Sequence, residues 1–298
     1  TDGNSDNNDA SGWDAVPITV VLDTIPPEIT CPSDVTVNTD AGVCSATGVD
    51  LGSPTVSDKY DPAPAVANDA PAPFPKGTTT VTWTATDGAG NSASCTQTVT
   101  VTDNEAPVIT CPIDLTVNTD PGVCYAAGVI LGSPAVSDNC DPAPTVTNDA
   151  SAQFPKGTTP VTWTATDDAG NSASCTQTVT VEDNEAPVIT VTVSPDTLWP
   201  PNHKYGDVTA TVTVADNCGS PTIAFVSATS NEPDDAKGGG DGNTVNDIVN
   251  VDNYHFKLRA ERDGDRTGRV YTITYQVTDT SENSALASAT VKVPLDLP

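Results

Sequence analysis

At Asp103 to Pro112 the chain reads D-N-E-A-P-V-I-T-C-P. At Asp183 to Thr190 the first eight letters return, and a looser copy, D-T-I-P-P-E-I-T-C-P, occupies Asp23 to Pro32. Each copy closes a strand of alternating Thr and Val, gathers carboxylates into a short turn and uses proline to start the next strand. The copies begin at Asp23, Asp103 and Asp183, 80 residues apart. This period predicts two similar domains, 24–103 and 104–183, a longer third, 184–298, and a preceding segment, 1–23.

Between the junctions both of the first two domains carry F-P-K-G-T-T-x-V-T-W-T-A-T-D, at Phe74 to Asp87 and Phe154 to Asp167, and then G-N-S-A-S-C-T-Q-T-V-T-V. Apolar residues on every second position, bounded by Gly, Asn and Asp turns, are the pattern of a β-sandwich. The expected fold is all-β: three tandem immunoglobulin-like sandwiches in a rod, behind an N-terminal extension with one orphan strand. The third domain keeps A-D-N-C (Ala215 to Cys218), V-T-D-T-S-E-N (Val277 to Asn283) and a closing strand near Ala289 to Val293. It departs at W-P-P-N-H-K (Trp199 to Lys204) and carries a Gly- and Asp-rich stretch, 231–269, read as an acidic insertion.

The letters I-T-C-P, S-D-N-C, F-P-x-G and A-T-D-x-A-G-N resemble the HYR (hyalin repeat) family, an extracellular immunoglobulin-like module, across residues 24–183. The resemblance implies a part in adhesion or surface architecture.

Charge narrows the partners. The chain has 40 Asp and Glu against 11 Lys and Arg, a net charge of -29. Nucleic acid needs Lys and Arg to neutralise phosphate, so it is excluded, as are anionic membranes. No apolar run reaches the ~18 residues of a membrane span. With no Met and with Thr at position 1, a secreted chain whose signal peptide has been removed is expected. Eight cysteines without a C-x-x-C motif point to disulfides and an oxidising compartment rather than zinc.

Immunoglobulin-like topology brings the B–C and F–G loops to the end of a domain where its junction enters. That gathers Asp103, Asn104, Glu105, Asp138, Asp141, Asp167 and Asn171 at the second domain. It gathers Asp183, Asn184, Glu185, Asp216, Asp279 and Asn283 at the third, and Asp23, Glu28, Asp58, Asp61, Asp87 and Asn91 at the first. Carboxylates this close repel by several kcal/mol (roughly 4 for a pair at 4 Å), and calcium takes six to eight oxygen ligands. The expectation is calcium at the joints, against the plainer one of solvated acidic turns. The arrangement is similar to cadherin, whose D-x-N-D-x-A-P linkers hold calcium. The tail acids Asp2, Asn4, Asp6, Asn8, Asp9 and Asp14 are a further calcium candidate, or simply a polar end.

Under the 80-residue offset Cys31, Cys44 and Cys95 match Cys111, Cys124 and Cys175 and Cys140 matches Tyr60, while Cys218 of A-D-N-C matches Cys140 of S-D-N-C. Cys31 and Cys95 lie in neighbouring first and last strands, so Cys31–Cys95 and Cys111–Cys175 are expected. Cys124 and Cys140 fall at opposite ends of a domain about 25 Å long, beyond the ~7 Å that a disulfide spans between Cα atoms. Bridges between domains, Cys44–Cys140 and Cys124–Cys218, answer this. The competing scheme is Cys124–Cys140, leaving Cys44 for Cys218 of another molecule.

Val16 to Leu22 reads as a closing strand with no domain before it. Its inward set, Val16, Ile18, Val20 and Leu22, needs a sheet edge, in its own first domain or in a neighbour. Donation to a neighbour makes the chain a subunit of an extracellular filament, partnered head-to-tail by copies of itself, with tail and 231–269 acids (Asp234, Asp235, Asp241, Asp247, Asp263, Asp265) at the contact. The alternative is an adhesive stalk of a larger cell-surface protein, meeting surface glycans or proteins through Trp199, His203 and Tyr254. No nucleophile, phosphate-loop or metalloprotease motif is present, and no enzyme activity is expected.

Overall fold

A computed structural model of the protein describes residues 22–234, 244–262 and 268–296. Every regular element among them is a β-strand, and they build three sandwiches in tandem. They fall into two compact units. One runs to Val108 and takes in Ser137–Thr145 and Thr166–Ser172; the other comprises Ile109–Val136, Val146–Ala165 and the chain from Ala173 on.

The first sandwich has β1 (Glu28–Thr30), β2 (Val35–Asn38), β3 (Ser45–Ala46), β4 (Thr55–Ser57), β5 (Ala65–Asn68), β6 (Phe74–Pro75), β7 (Gly77–Thr86) and β8 (Ser92–Thr102). One layer has the order β2-β8-β7-β5; the other consists of the pairs β1–β4 and β3–β6. The long β7–β8 hairpin is antiparallel, while β2 lies parallel to β8 with Val35 beside Val99 and Val37 beside Val101. Alternation decides the faces: Val81, Trp83 and Ala85 of β7 are buried and the threonines between them are not. Phe74, Val99, Val101 and Ala46 complete the core, with Cys31 and Cys95 packed on it.

The second sandwich repeats this with β9 (Val108–Thr110), β10 (Leu115–Asn118), β11 (Tyr125–Ala127), β12 (Ala135–Ser137), β13 (Thr145–Asn148), β14 (Gln153–Pro155), β15 (Gly157–Thr166) and β16 (Ser172–Glu182). Its β10 lies parallel to β16, and its core is Ala126, Phe154, Val161, Trp163, Val179 and Val181.

The third has β17 (Val188–Ser194), β18 (Tyr205–Ala215), β19 (Thr222–Ser230), β20 (Ile248–Asn250), β21 (His255–Arg259), β22 (Arg269–Thr278) and β23 (Ser284–Val293), in layers β17-β18-β21-β20 and β19-β22-β23. The stretch read as an insertion, 231–269, therefore contains two working strands, β20 and β21. β21 pairs with β18, Tyr205 opposite Arg259. Its own alternation explains this, since Phe256 and Leu258 are buried beside Tyr271, Ile273 and Tyr275.

Four disulfides are formed. Cys31–Cys95 and Cys111–Cys175 tie first-strand to last-strand regions at Cα separations of 5.8 and 5.7 Å. Cys44–Cys140 and Cys124–Cys218 run from one sandwich to the next, each at 4.8 Å. The tail ligands Asp2, Asn4, Asp6, Asn8, Asp9 and Asp14, the strand residues Val16, Ile18 and Val20, and Asp235, Asp241, Asp263 and Asp265 lie outside the described residues. Leu22 is described, and is 77% exposed.

Candidate metal centres

Three short turns make each centre. In the β7–β8 turn, D-G-A-G-N, the Asp87 N–H donates to the Asn91 carbonyl at 3.0 Å, and Asp87 Oδ1 accepts from the Ala89 and Asn91 amides. Asn91 Nδ2 donates to Asp87 Oδ2 and to the Asp23 carbonyl, which locks the junction onto the turn. Asp167 with Asn171 and Asp279 with Asn283 repeat these bonds, the two Asn side chains reaching the carbonyls of Asp103 and Asp183. Gly90 and Gly170 take the left-handed conformation that the turn needs (φ 94° and 92°); in the third domain Glu282 takes it, at φ 70°.

The B–C turn supplies the second carboxylate. Asp58 Oδ1 accepts from the Tyr60 and Asp61 amides, both at 2.7 Å, and Asp138 Oδ1 from those of Cys140 and Asp141. Asp216 Oδ1 accepts from Cys218. In all three residues the other oxygen, Oδ2, is buried and meets no hydrogen-bond donor.

The junction supplies the third. Asp23, Asp58 and Asp87 each place a carboxylate oxygen so that all three lie within 4.8 Å of one another; so do Asp103, Asp138 and Asp167, and again Asp183, Asp216 and Asp279. Asp87, Asp103, Asp167, Asp183 and Asp279 are each less than a tenth exposed. Burial pushes Asp87, Asp167 and Asp279 up, but the Asn side-chain bonds and the turn amides outweigh it and hold all three below the ordinary carboxylate value. Three ionised carboxylates at this spacing repel by about 3 kcal/mol per pair at an effective dielectric of ~20. A hard, oxygen-seeking cation fits such a donor set, and the orphaned Oδ2 atoms are the free ligand positions it needs.

Each centre brings together three of the carboxylates read as ligands and one asparagine, also read as a ligand, that holds them. The others lie elsewhere. Glu105 and Glu185 reach Gly42 and Gly122 amides at 2.8 Å. Asp61 and Asp141 accept from the amides of Gly88 and Asp168. Asn104, Asn184 and Glu28 are exposed.

Two residues at the centres were not foreseen. Lys76 Nζ lies 3.5 Å from Asp103 Oδ2 and 2.7 Å from Asp168 Oδ1. Lys156 Nζ lies 3.4 Å from Asp183 Oδ2 and also contacts the Thr280 and Ser281 hydroxyls. The signal was the lysine of F-P-K-G recurring at an 80-residue interval in a chain with so few bases.

A second polar cluster lies in the third domain. Arg269, fully buried, pairs with Glu232, Asp247 and Glu261, and Tyr271 donates its hydroxyl to the Arg259 carbonyl. A cavity of about 450 Å³ opens beside it, lined by Glu232, Asp234 and Asp247 among others. His203 Nδ1 is 3.4 Å from Glu261; Trp199 and Tyr254 are each 39% exposed.

The HYR domain profile matches residues 22–101 and 102–181, more than half of the chain. The chain belongs to the HYR domain family. These are disulfide-bonded extracellular domains, and the family is not a catalytic one. The HYR chain is 33% identical over 181 residues to Hyalin of Strongylocentrotus purpuratus, covering 58% of itself and 15% of that protein. It is 40% identical over 91 residues to the Sushi, von Willebrand factor type A, EGF and pentraxin domain-containing protein 1 of Rattus norvegicus, covering 29% of itself and 2% of that protein. It thus spans a small fraction of both relatives. Among solved structures, extracellular cadherin domains 1–4 of protocadherin gamma B7 align with a TM-score of 0.37 and 14% identity, over 90% of this chain and 76% of that one.

Proposed function

We propose that this HYR chain is a calcium-stiffened stalk segment of a larger adhesive or matrix protein. The observation that carries the reading is the orphaned, buried Oδ2 of Asp58, Asp138 and Asp216, each beside two further carboxylates. Calcium supplies charge there. The chain's own residues do the rest: the asparagines fix each junction on its turn, and the amides of each turn hold Oδ1 so that Oδ2 faces inward. Hyalin and the rat protein are both large, and a stalk segment accounts for the small share of each that this chain spans. The binding face of the stalk, for surface glycans or proteins, is the third domain, at Trp199, His203 and Tyr254.

Isothermal titration of calcium into the chelator-stripped chain tests the metal. Saturable binding is expected, with one step lost in Asp138→Asn, which keeps the turn-forming Oδ1. Absence of binding and an unchanged melting temperature in millimolar calcium would sink the reading. Sedimentation tests the stalk: it predicts monomers. The filament reading rests on residues 16–22 and has no support among the described residues. Its check is electron microscopy of the chain beside a variant lacking residues 1–22, where filaments from the full chain alone would restore it.

A further inference from the structure

We infer that Lys76 and Lys156 are built-in counter-cations that hold the calcium affinity of the second and third triads below that of the first. The inference rests on the calcium reading above and adds a graded response to it.

Both lysines are rooted where they cannot drift. The Lys76 amide donates to the Cys44 carbonyl at 3.3 Å, and Cys44 is bonded to Cys140, two residues from the triad's Asp138. The Lys156 amide donates to the Cys124 carbonyl at 3.2 Å, and Cys124 is bonded to Cys218, two residues from Asp216. The disulfide thus ties the root of each lysine to the B–C turn of the triad it serves.

Their tips lean on the triad without filling it. Lys76 makes its tight contact with Asp168 at 2.7 Å and stands 3.5 Å from Asp103, whose side chain is fully buried. Lys156 is held by the Thr280 and Ser281 hydroxyls and stands 3.4 Å from Asp183. An ion entering either triad meets a fixed positive charge at one of its three carboxylates. It must tolerate that charge or displace it, and either lowers affinity.

The first triad has no such group. Among the described residues no Lys or Arg forms an ion pair with Asp23, Asp58 or Asp87, and residues 1–21 contain neither residue type. Lys59, the nearest in sequence, feels the charge of Asp23 without pairing with it and sets its ammonium over the Tyr60 ring at 4.8 Å. The second and third triads also differ. Asp168 offsets the charge of Lys76, whereas neutral hydroxyls hold Lys156. The expected order of affinity is first, second, third.

Calcium titration of the full chain, with steps assigned by Asp58→Asn, Asp138→Asn and Asp216→Asn, tests this. Lys76→Gln is expected to tighten the second step by about tenfold or more and Lys156→Gln the third, with the first unchanged. Lys76→Arg, which keeps the charge, is expected to leave the second step near its wild-type value. Three steps of equal affinity, unmoved by either glutamine, would overturn the inference and leave the calcium reading standing. No calcium uptake in the wild-type chain would remove both.

Discussion

Trp83 donates its indole N–H to Gln97 Oε1 at 2.9 Å, in a core where Gln97 is fully buried. The same amide gives its Nε2 protons to the Ser33 and Leu51 carbonyls at 2.7 and 3.0 Å. One side chain therefore satisfies an indole and two backbone carbonyls, and ties β7 and β8 to the loops that follow β1 and precede β4. Trp163 and Gln177 repeat the pair at 3.1 Å. Gln97→Ala is expected to cost about 3 kcal/mol, from the lost volume and from buried polar groups left without partners. Hydrogen exchange of β7 and β8 in the intact chain measures it. Gln97→Leu is expected to cost nearly as much, because it restores volume but no hydrogen bond.

Glu282 pays for a conformation that Gly90 and Gly170 take freely. A left-handed non-glycine residue costs about 1 kcal/mol or more. Glu282→Gly is expected to raise the stability of the third domain by about that amount, visible as slower exchange in β22 and β23. No gain would mean that the Glu282 side chain has a compensating role.

Cys31→Ser with Cys95→Ser opens a loop with a sequence separation of 64. The chain-entropy relation puts the loss at roughly 4 kcal/mol. The expected result is a first domain that exchanges through opening while the third keeps its protection. Equal loosening of both would mean that the domains do not unfold independently.

Arg269 is enclosed with Glu232, Asp247 and Glu261, all nearly inaccessible to solvent. Removing one partner of a buried ionic cluster costs about 3–5 kcal/mol. Arg269→Ala is expected to do so, reducing exchange protection from β20 to β22 and leaving the first domain untouched.

Asp234 is held below its ordinary carboxylate value of 3.8, first by the Asn246 amide and then by that of Asp247, both donating at 2.9 Å. A depressed folded value means stability that is present above 3.8 and is lost as pH falls through the folded value. Protection of residues 244–250 should therefore hold from pH 7 to pH 5 and drop below pH 4. Asp234→Asn should lower the pH 7 plateau by less than about 1 kcal/mol, since the carboxyl is exposed, and flatten the acid limb.

The triads were legible in the sequence because the chain repeats. An 80-residue offset aligned Asp23, Asp103 and Asp183, and loop topology placed Asp58 and Asp87 beside the first of them. The cysteines paired in the same way: the lack of one at position 60 and of a far-end one in the third domain point to the between-domain bridges. Repetition also explains what was missed. Lys76 reaches Asp168 from 92 residues away, and a lysine inside a turn motif gives no hint of where its tip goes. The Arg269 cluster draws on positions 232, 247, 261 and 269, which share no period. The strands at 248–250 and 255–259 are short, flanked by Asp and Asn, and have no counterpart in the first two domains to be aligned against.

The parallel pairing of β2 with β8 has a mechanical meaning. Tension applied through the two ends of a sandwich loads those hydrogen bonds side by side, in shear, rather than opening them one at a time. Should they yield, the force passes from Cys31 straight to Cys95, and then from Cys111 to Cys175. The 64-residue separation enclosed by each bridge is shut out of the extending path, withholding roughly 220 Å of contour per domain at ~3.4 Å per residue. Under load, each of these two domains would lengthen by only the few residues outside its bridge, so this pair behaves as a short, nearly inextensible tether until a reductant cuts it.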